Sequence, residues 1–419
     1  MKVMNHKVLV IGGGAAGMLA AGMAAKAGAK VVLIEKNDRL GKKLAITGKG
    51  RCNVTNACTS DEVMKNVPRN GRFLYSALSS FSPDDAMSFF EQYGCELKVE
   101  RGNRVFPTSD KSASVIAALQ KFLKEQHVEV VHERAEELLL RDGVIAGVRT
   151  DRGNQYGRCV IVCTGGCSYP LTGSTGDGYA LAQKVGHSIV EPRGSLVPIV
   201  EDGTWCARMQ GLSLRNVAVK LVNQKKKKVY EDFGELLFTH FGMSGPTILS
   251  ASAHMKQGDT YTLYIDLKPA LDEQKLDQRI LRDFEQYQNR NIENALQDLF
   301  PKSMIPVMVE RAGIDPTTQA NAVTKQQRRA LLELTKAFPV AIAGLRPVEE
   351  AIVTAGGVKV KEVDPKTMES KLVPGLYFAG EILDVDAYTG GFNLQIAWAT
   401  ACAAGLAAGQ HREEEVQEK

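Results

Sequence analysis

Val8-Leu9-Val10-Ile11-Gly12-Gly13-Gly14-Ala15-Ala16-Gly17 is a short apolar run that passes directly into a glycine turn. Four apolar residues in a row suit a strand buried on both faces. The Ala-rich residues 18–28 predict a tightly packed helix, and Val31-Val32-Leu33-Ile34 predicts a second strand ending on Glu35. Together these form a βαβ unit whose glycines fall in the spacing G-x-G-x-x-G. Gly12 permits the tight turn, Gly14 lets the backbone approach a pyrophosphate, and Gly17 lets the helix lie close to the strand. The N-terminus of that helix supplies unpaired amides and a partial positive charge that favour phosphate, and Ala15 and Ala16 in the turn join the cofactor-binding candidates. Glu35 stands where a carboxylate can accept hydrogen bonds from a ribose hydroxyl. The glycine spacing alone is weak evidence. With strand, helix, strand and terminal acid around it, it predicts dinucleotide binding.

The chain has 419 residues, 44% hydrophobic and 24% charged, with a formal net charge of +4. That length predicts two or three domains. The small net charge argues against a nucleic-acid partner, and the basic run Lys225-Lys226-Lys227-Lys228 between two strand-like segments reads as a solvated hairpin turn. The eight cysteines lack paired C-x-x-C spacing. Cys159 and Cys163 bound an apolar strand, so they read as buried thiols in a reducing cytosol, and no metal site is expected. Residues 394–408 form a long apolar run, shorter than a membrane span and containing Gln395, which suits a buried helix. A cytoplasmic protein without a membrane segment is expected.

Past Glu35, the polar loop 36–43 carries Lys36, Gly41, Lys42 and Lys43 beside the expected phosphate site. The run Ile46-Thr47-Gly48-Lys49-Gly50-Arg51-Cys52-Asn53-Val54-Thr55-Asn56 follows. Its glycines and small polar side chains describe a loop that approaches a ligand with its backbone while presenting donors. A capped helix is predicted from Ser82-Pro83 to 93 and another over 112–126, with Arg104-Val105-Phe106-Pro107 extended between them. Strands are predicted over 128–131, 136–140, 144–150 and 156–163, the last running into Thr164-Gly165-Gly166. Glycines at the carboxyl end of a sheet strand are where an open α/β fold receives its ligand. Ala135, just before one of these strands, joins the cofactor-binding candidates. Gly173-Ser174-Thr175-Gly176-Asp177-Gly178 opens a helix that Asp177 is placed to cap.

The pattern changes near residue 194. Strand-like runs with little helical period fill 195–266, charged helical sequence follows over 271–311, and an amphipathic helix is predicted over 325–338. The style of the first domain then returns. Residues 354–358 precede a strand, residues 375–381 form an apolar strand ending in Gly380 and Glu381, and Gly390-Gly391-Phe392-Asn393 introduces a helix from Leu394.

Taken together, the N-terminal fingerprint, the Thr164-Gly165-Gly166 segment and the late Gly380-Glu381 motif resemble FAD-binding folds of the glutathione-reductase class. The Gly-Arg-Cys-Asn core of 47–56, with 104–107, 238–246 and 354–358, resembles the BaiN-like family of bacterial NAD(P)/FAD-dependent oxidoreductases over essentially the whole chain. That family is distantly similar to fumarate reductases and succinate dehydrogenases. The resemblance implies an α/β fold, with a Rossmann-like FAD-binding domain over 1–193 and 339–419. A β-barrel-like substrate module over 194–267 and 322–338 would interrupt it, with a helical insert over 268–321. It casts Gly380 and Glu381 beside the ribityl chain and pyrophosphate, with Glu381 standing where many members carry Asp. One family member is described as reducing a double bond conjugated to a ketone in bile-acid intermediates.

If FAD binds, the amides of Gly391, Phe392 and Asn393 are the candidates for stabilising charge that develops on the ring, with Leu394 beside them. Thr47, Gly48, Gly50 and Cys52 are expected near the ring, with Arg51 and Asn53 offering donors to flavin or substrate as catalytic candidates. His240 and Tyr388 are candidate proton donors. Only one fingerprint is present, so NAD(P)H would bind transiently, if it is the reductant. The expected function is hydride transfer through FAD to a small conjugated organic substrate. The alternatives are a flavin-bearing RNA-modifying protein and a non-catalytic flavin sensor.

Overall fold

The computed structural model describes residues 7–256 and 258–411. The fold is mixed α/β, a Rossmann-type parallel sheet followed in the chain by a closed antiparallel barrel. The chain divides into two compact units, the first running to Ser195 and resuming at Val348, the second spanning Leu196–Pro347.

In the first unit, five parallel strands lie in the order Leu376–Phe378, Cys159–Val162, Lys7–Ile11, Lys30–Glu35 and Glu129–His132. The fingerprint strand sits at the centre, and Val8, Leu9 and Val10 are fully buried, as the continuous apolar run requires. The helix Ala15–Lys26 follows the glycine turn. It packs along the last helix, Phe392–Gln410. Gly405 and Gly409 meet Ala20 and Ala24 backbone so closely that a Cβ at either glycine would lie 2.5–2.6 Å from a carbonyl oxygen. Small residues four apart on both helices make that approach possible. The last helix also buries Trp398, whose indole N–H donates to the Val54 carbonyl at 2.9 Å.

The other predicted elements fall close to their places, with informative departures. Ser82 caps the helix Pro83–Gln92 in a capping box with Asp85, and the next helix is Ser112–Glu125. The strand expected over 156–163 is two strands. Gly153–Tyr156 completes a three-stranded antiparallel sheet, while Cys159–Val162 enters the parallel sheet. The break falls at Gly157-Arg158, where the Arg158 amide bonds the Lys7 carbonyl. Residues 354–358 are themselves strand, within Val353–Val358, and the strand expected over 375–381 is only Leu376–Phe378.

The second unit is a closed barrel of Ile199–Glu201, Gly242–Ser244, Lys228–Thr239, Ser213–Asn223, Tyr261–Asp266 and Phe338–Leu345, in that order around it. Its helices include Glu273–Gln286, Ile292–Ala295, Ile305–Arg311 and Lys325–Lys336. The return to the first domain, expected at 339, comes at Val348, because Phe338–Leu345 pairs with two barrel strands and buries Phe338, Val340 and Ile342. Among the described residues no helix is long and apolar enough to cross a membrane.

Candidate active site

Segments from both ends of the chain form one locus at the carboxyl end of the parallel sheet. A Cβ on Gly17 would lie 1.7 Å from the Gly12 carbonyl oxygen, so this glycine sets how closely the helix approaches its strand. A Cβ on Gly14 would meet nothing within 4 Å. Gly14 is also the residue before the helix Ala15–Lys26, which has no side-chain cap and no acid in its first turn. Open backbone, uncapped amides and no acid in the helix's first turn describe a phosphate cradle. The late motif closes on the same spot, since a Cβ on Gly380 would lie 2.7 Å from Ala16 Cβ. The Gly380 amide donates to Thr400 Oγ1 at 3.0 Å, tying the motif to the last helix as well.

Around this cradle the charged candidates hold one another. The buried Glu35 carboxylate accepts from the Gly13 amide at 2.6 Å and from both nitrogens of Asn37 at 2.7 and 2.6 Å. Lys36 Nζ reaches Thr175 Oγ1 at 2.5 Å and Asp177 Oδ2 at 2.6 Å. Asp177 therefore does not cap its helix, Asp177–Lys184, and serves as the partner of Lys36. Lys42 pairs with Asp38 at 2.7 Å, and that ammonium holds the Asp38 carboxyl below its usual range. The Gly41 amide donates to the Gly13 carbonyl, folding the basic loop onto the fingerprint. Lys43 bonds Ser168 Oγ at 2.6 Å and both oxygens of Glu381 at 2.7 and 3.0 Å. Glu381 also accepts from the Thr354 amide at 2.8 Å. Thr164, Gly165 and Gly166 run beside this network, and a Cβ on Gly165 or Gly166 would lie 3.7 and 3.3 Å from the Glu381 carboxylate. The Thr164 hydroxyl is buried without a hydrogen-bond partner. Ala135 begins the strand Ala135–Arg141, two residues past Glu133, whose amide bonds the Glu35 carbonyl.

The segment 47–56 is the most distorted backbone near the locus. Gly48, Lys49, Gly50 and Cys52 all have φ between +57° and +84°, and left-handed Lys and Cys are strained positions that the surroundings must hold. They are held at one end by the Thr47 hydroxyl on the Leu44 carbonyl and at the other by the last helix. Thr55 Oγ1 donates to Gln395 Oε1 at 2.7 Å, and Asn56 Nδ2 donates to the Gly390 carbonyl at 3.0 Å. Gly391, at φ +100°, starts the last helix without a side-chain cap. A Cβ there would lie 2.3 Å from the Thr55 carbonyl oxygen and 3.0 Å from Asn53 Oδ1. Asn53 Oδ1 is buried and has no hydrogen-bond partner. An acceptor without a donor thus sits beside uncapped helix amides, a pairing that suits a ligand edge offering both a donor and acceptors.

One catalytic expectation changes. Arg51 is spent on ion pairs, its Nε donating to Asp110 Oδ1 at 2.8 Å and its Nη atoms to Glu100, while its guanidinium stacks 4.1 Å from the Phe106 ring centroid. Those carboxylates hold it as a brace for the loop in place of a donor to ligand. His240 is exposed in the second unit, at the turn between Lys228–Thr239 and Gly242–Ser244, edge-on to Phe241. Cys52 is fully buried, and burial pushes its thiol up to about 12, which removes it from thiolate chemistry. The Asn393 side chain is occupied by the backbone of Ala387 on both its oxygen and its nitrogen.

A family profile described as HI0933-like protein Rossmann domain matches residues 6–407. The chain belongs to the HI0933-like family. It is 31% identical over 413 residues to the 3-dehydro-bile acid delta(4,6)-reductase of Clostridium scindens, covering 97% of this chain and 99% of that one. It is 30% identical over 406 residues to the ribosomal RNA dihydrouridine synthase of Haemophilus influenzae, covering 95% and 97%. Mycobacterium smegmatis Sdh1 in complex with UQ1 shares the fold, with a TM-score of 0.51 at 19% identity over 96% of this chain and 68% of that one. So does a 3-ketosteroid delta1-dehydrogenase from Sterolibacterium denitrificans, at 0.50 and 14% over 96% and 99%.

The matching profile is a Rossmann domain and one relative is named a reductase, and the cofactor expected from the sequence is FAD. The locus fits that cofactor, with an open cradle at Gly14 for the diphosphate and a buried, unpartnered acceptor at Asn53 near the last helix. Sequence reading missed Ser168 and Thr354, which lock Glu381, and Gln395, which staples Thr55. Gln395 carried a signal, a polar residue inside an apolar helix run. Ser168 carried none.

Proposed function

We propose that the protein adds a hydride to a carbon–carbon double bond conjugated to a carbonyl, drawing its electrons from NAD(P)H. The observation that carries this reading is the approach of Asn53 Oδ1 to Gly391, an acceptor and uncapped amides side by side at the start of the last helix. FAD, when bound, supplies the hydride chemistry. The chain's share is to fix it between Gly14 and Gly380 and to hold donors where negative charge develops. Support for the substrate class comes from the relatives' names. A delta(4,6) bond of a 3-dehydro bile acid and the 5,6 bond of uracil are both alkenes conjugated to a carbonyl. The reading therefore has two arms, a small polycyclic ketone and a uridine in RNA. We infer a cytoplasmic setting as well, supported by eight cysteines that are all free.

The test is anaerobic mixing of FAD-loaded protein with NADH and with NADPH while flavin absorbance is followed. Each reduced sample is then offered a 3-oxo-4,6-diene steroid and, separately, ribosomal RNA. Bleaching by a nicotinamide and recovery of colour with one of the two substrates is the expected result. A flavin that neither nucleotide bleaches, or that neither substrate reoxidises, contradicts the proposal.

A further inference from the structure

The longest hairpin of the barrel, Ser213–Asn223 with Lys228–Thr239, ends in a turn that holds Lys225, Lys226, Lys227 and Lys228. The turn is built, and its lysines are fixed at the backbone. Asn223 Oδ1 accepts from the amides of Lys225 and Lys227 at 3.1 and 3.0 Å, and the Asn223 carbonyl accepts from the Lys226 amide at 2.8 Å. Gln224 grips the neighbouring loop through the Thr260 carbonyl at 3.0 Å and Asp259 Oδ1 at 2.7 Å. That loop adds the exposed Lys256. Lys226 has φ +57°, a conformation that glycine or asparagine adopts at lower cost. The position thus carries a cation where its backbone would favour glycine or asparagine. Lys228 pairs with Glu231, but among the described residues Lys225, Lys226 and Lys227 have no ion-pair partner.

A group of exposed cations without ion-pair partners on one ordered turn suits a polyanion. A membrane-docking tip would interleave apolar side chains for the acyl boundary, and residues 224–228 contain none. The half-buried Tyr230 stacks on His254 with ring centroids 4.8 Å apart, leaving a flat aromatic pair close behind the turn. We propose that this turn is a docking arm for RNA, its lysines neutralising backbone phosphates of the strand that carries the substrate base. The inference rests on the uridine arm of the proposed function.

The test uses the full-length FAD-loaded protein and the variant K225Q/K226Q/K227Q, with ribosomal RNA binding measured from 50 to 300 mM KCl. Losing three phosphate contacts lowers the slope of log affinity against log salt by about 2–3, and affinity at 100 mM falls about 10- to 100-fold. Reduction of a small conjugated ketone or of free uridine stays at the wild-type rate. The single variant Lys226→Asn is expected to melt at a higher temperature yet bind RNA more weakly. An unchanged salt slope in the triple variant overturns the docking arm, as does binding to anionic vesicles with RNA affinity unaltered. Loss of slope in a protein that reduces no uridine leaves the arm standing and sinks the substrate reading instead.

Discussion

Lys43 Nζ lies 2.7 Å from Glu381 Oε2 and 3.0 Å from Oε1, joining residues 338 positions apart in the chain. The side chains are only 20% and 21% exposed, so the pair is partly shielded from water. Lys43→Ala leaves the carboxylate facing Ser168 and the Thr354 amide with no cation, and unfolding free energy should fall by about 1–2 kcal/mol. Adding Glu381→Gln should recover part of that loss. Urea denaturation of both single variants and the double variant reads the coupling, and additive effects would show that the two groups do not interact.

Two fingerprint glycines should respond in opposite ways. Gly17→Ala forces a Cβ to within 1.7 Å of the Gly12 carbonyl and should destabilise the fold itself, by about 1–3 kcal/mol. Gly14 has extended backbone and open space beside it, so Gly14→Val should fold as well as the parent. Its side chain then occupies the cradle, and FAD affinity should fall at least about tenfold, about 1.4 kcal/mol. Melting of the FAD-free proteins and FAD titration separate the two effects.

Thiol chemistry should bypass the Gly-Arg-Cys-Asn loop. With its thiol buried and shifted up to about 12, Cys52 should resist iodoacetamide at pH 8 in the native protein. The half-exposed Cys58 and Cys167 should take the label first. Mass spectrometry of labelled peptides decides this, and early modification of Cys52 would mean that the loop opens.

His187 sets a pH dependence. Burial lowers its pKa below the ordinary histidine value, against the pull of the Glu362 carboxylate 3.4 Å away, and its Nε2 meets Ser370 Oγ at 2.8 Å. A histidine kept neutral in the fold but free to protonate when unfolded contributes stability above its unfolded pKa, near 6.5, and that contribution is lost as pH falls below it. Denaturation midpoints between pH 8 and 5 should therefore drop more steeply for the parent than for His187→Gln. Parallel curves would exclude His187 as the cause.

The parallel-sheet unit was legible because its signals are local. A continuous apolar strand, a glycine turn and an Ala-rich helix each lie within a few residues, and all three appear in place. The barrel's last strand was not legible. Residues 338–345 lie between a helix and a glycine-bearing strand, and only pairing with Tyr261–Asp266 and Ile199–Glu201 assigns them to the barrel. Side-chain roles were harder still. Arg51 reads as a ligand donor in a glycine-rich loop, but its duties are set by Glu100 and Asp110, about fifty residues downstream, which no local pattern links to it. Asn53 was legible as a polar residue in the right loop, while its orphaned oxygen becomes visible only once Gly391 is placed beside it.

That the edge strand Leu376–Phe378 and the helix Phe392–Gln410 complete a unit begun at Lys7 has a temporal consequence. During synthesis the fingerprint leaves the ribosome with its sheet one strand short and its helix uncovered, and it must wait through translation of the entire barrel. Domains generally fold as units in order of emergence. Here the interrupting barrel can mature first, and a nascent chain halted before residue 376 should emerge unable to retain flavin.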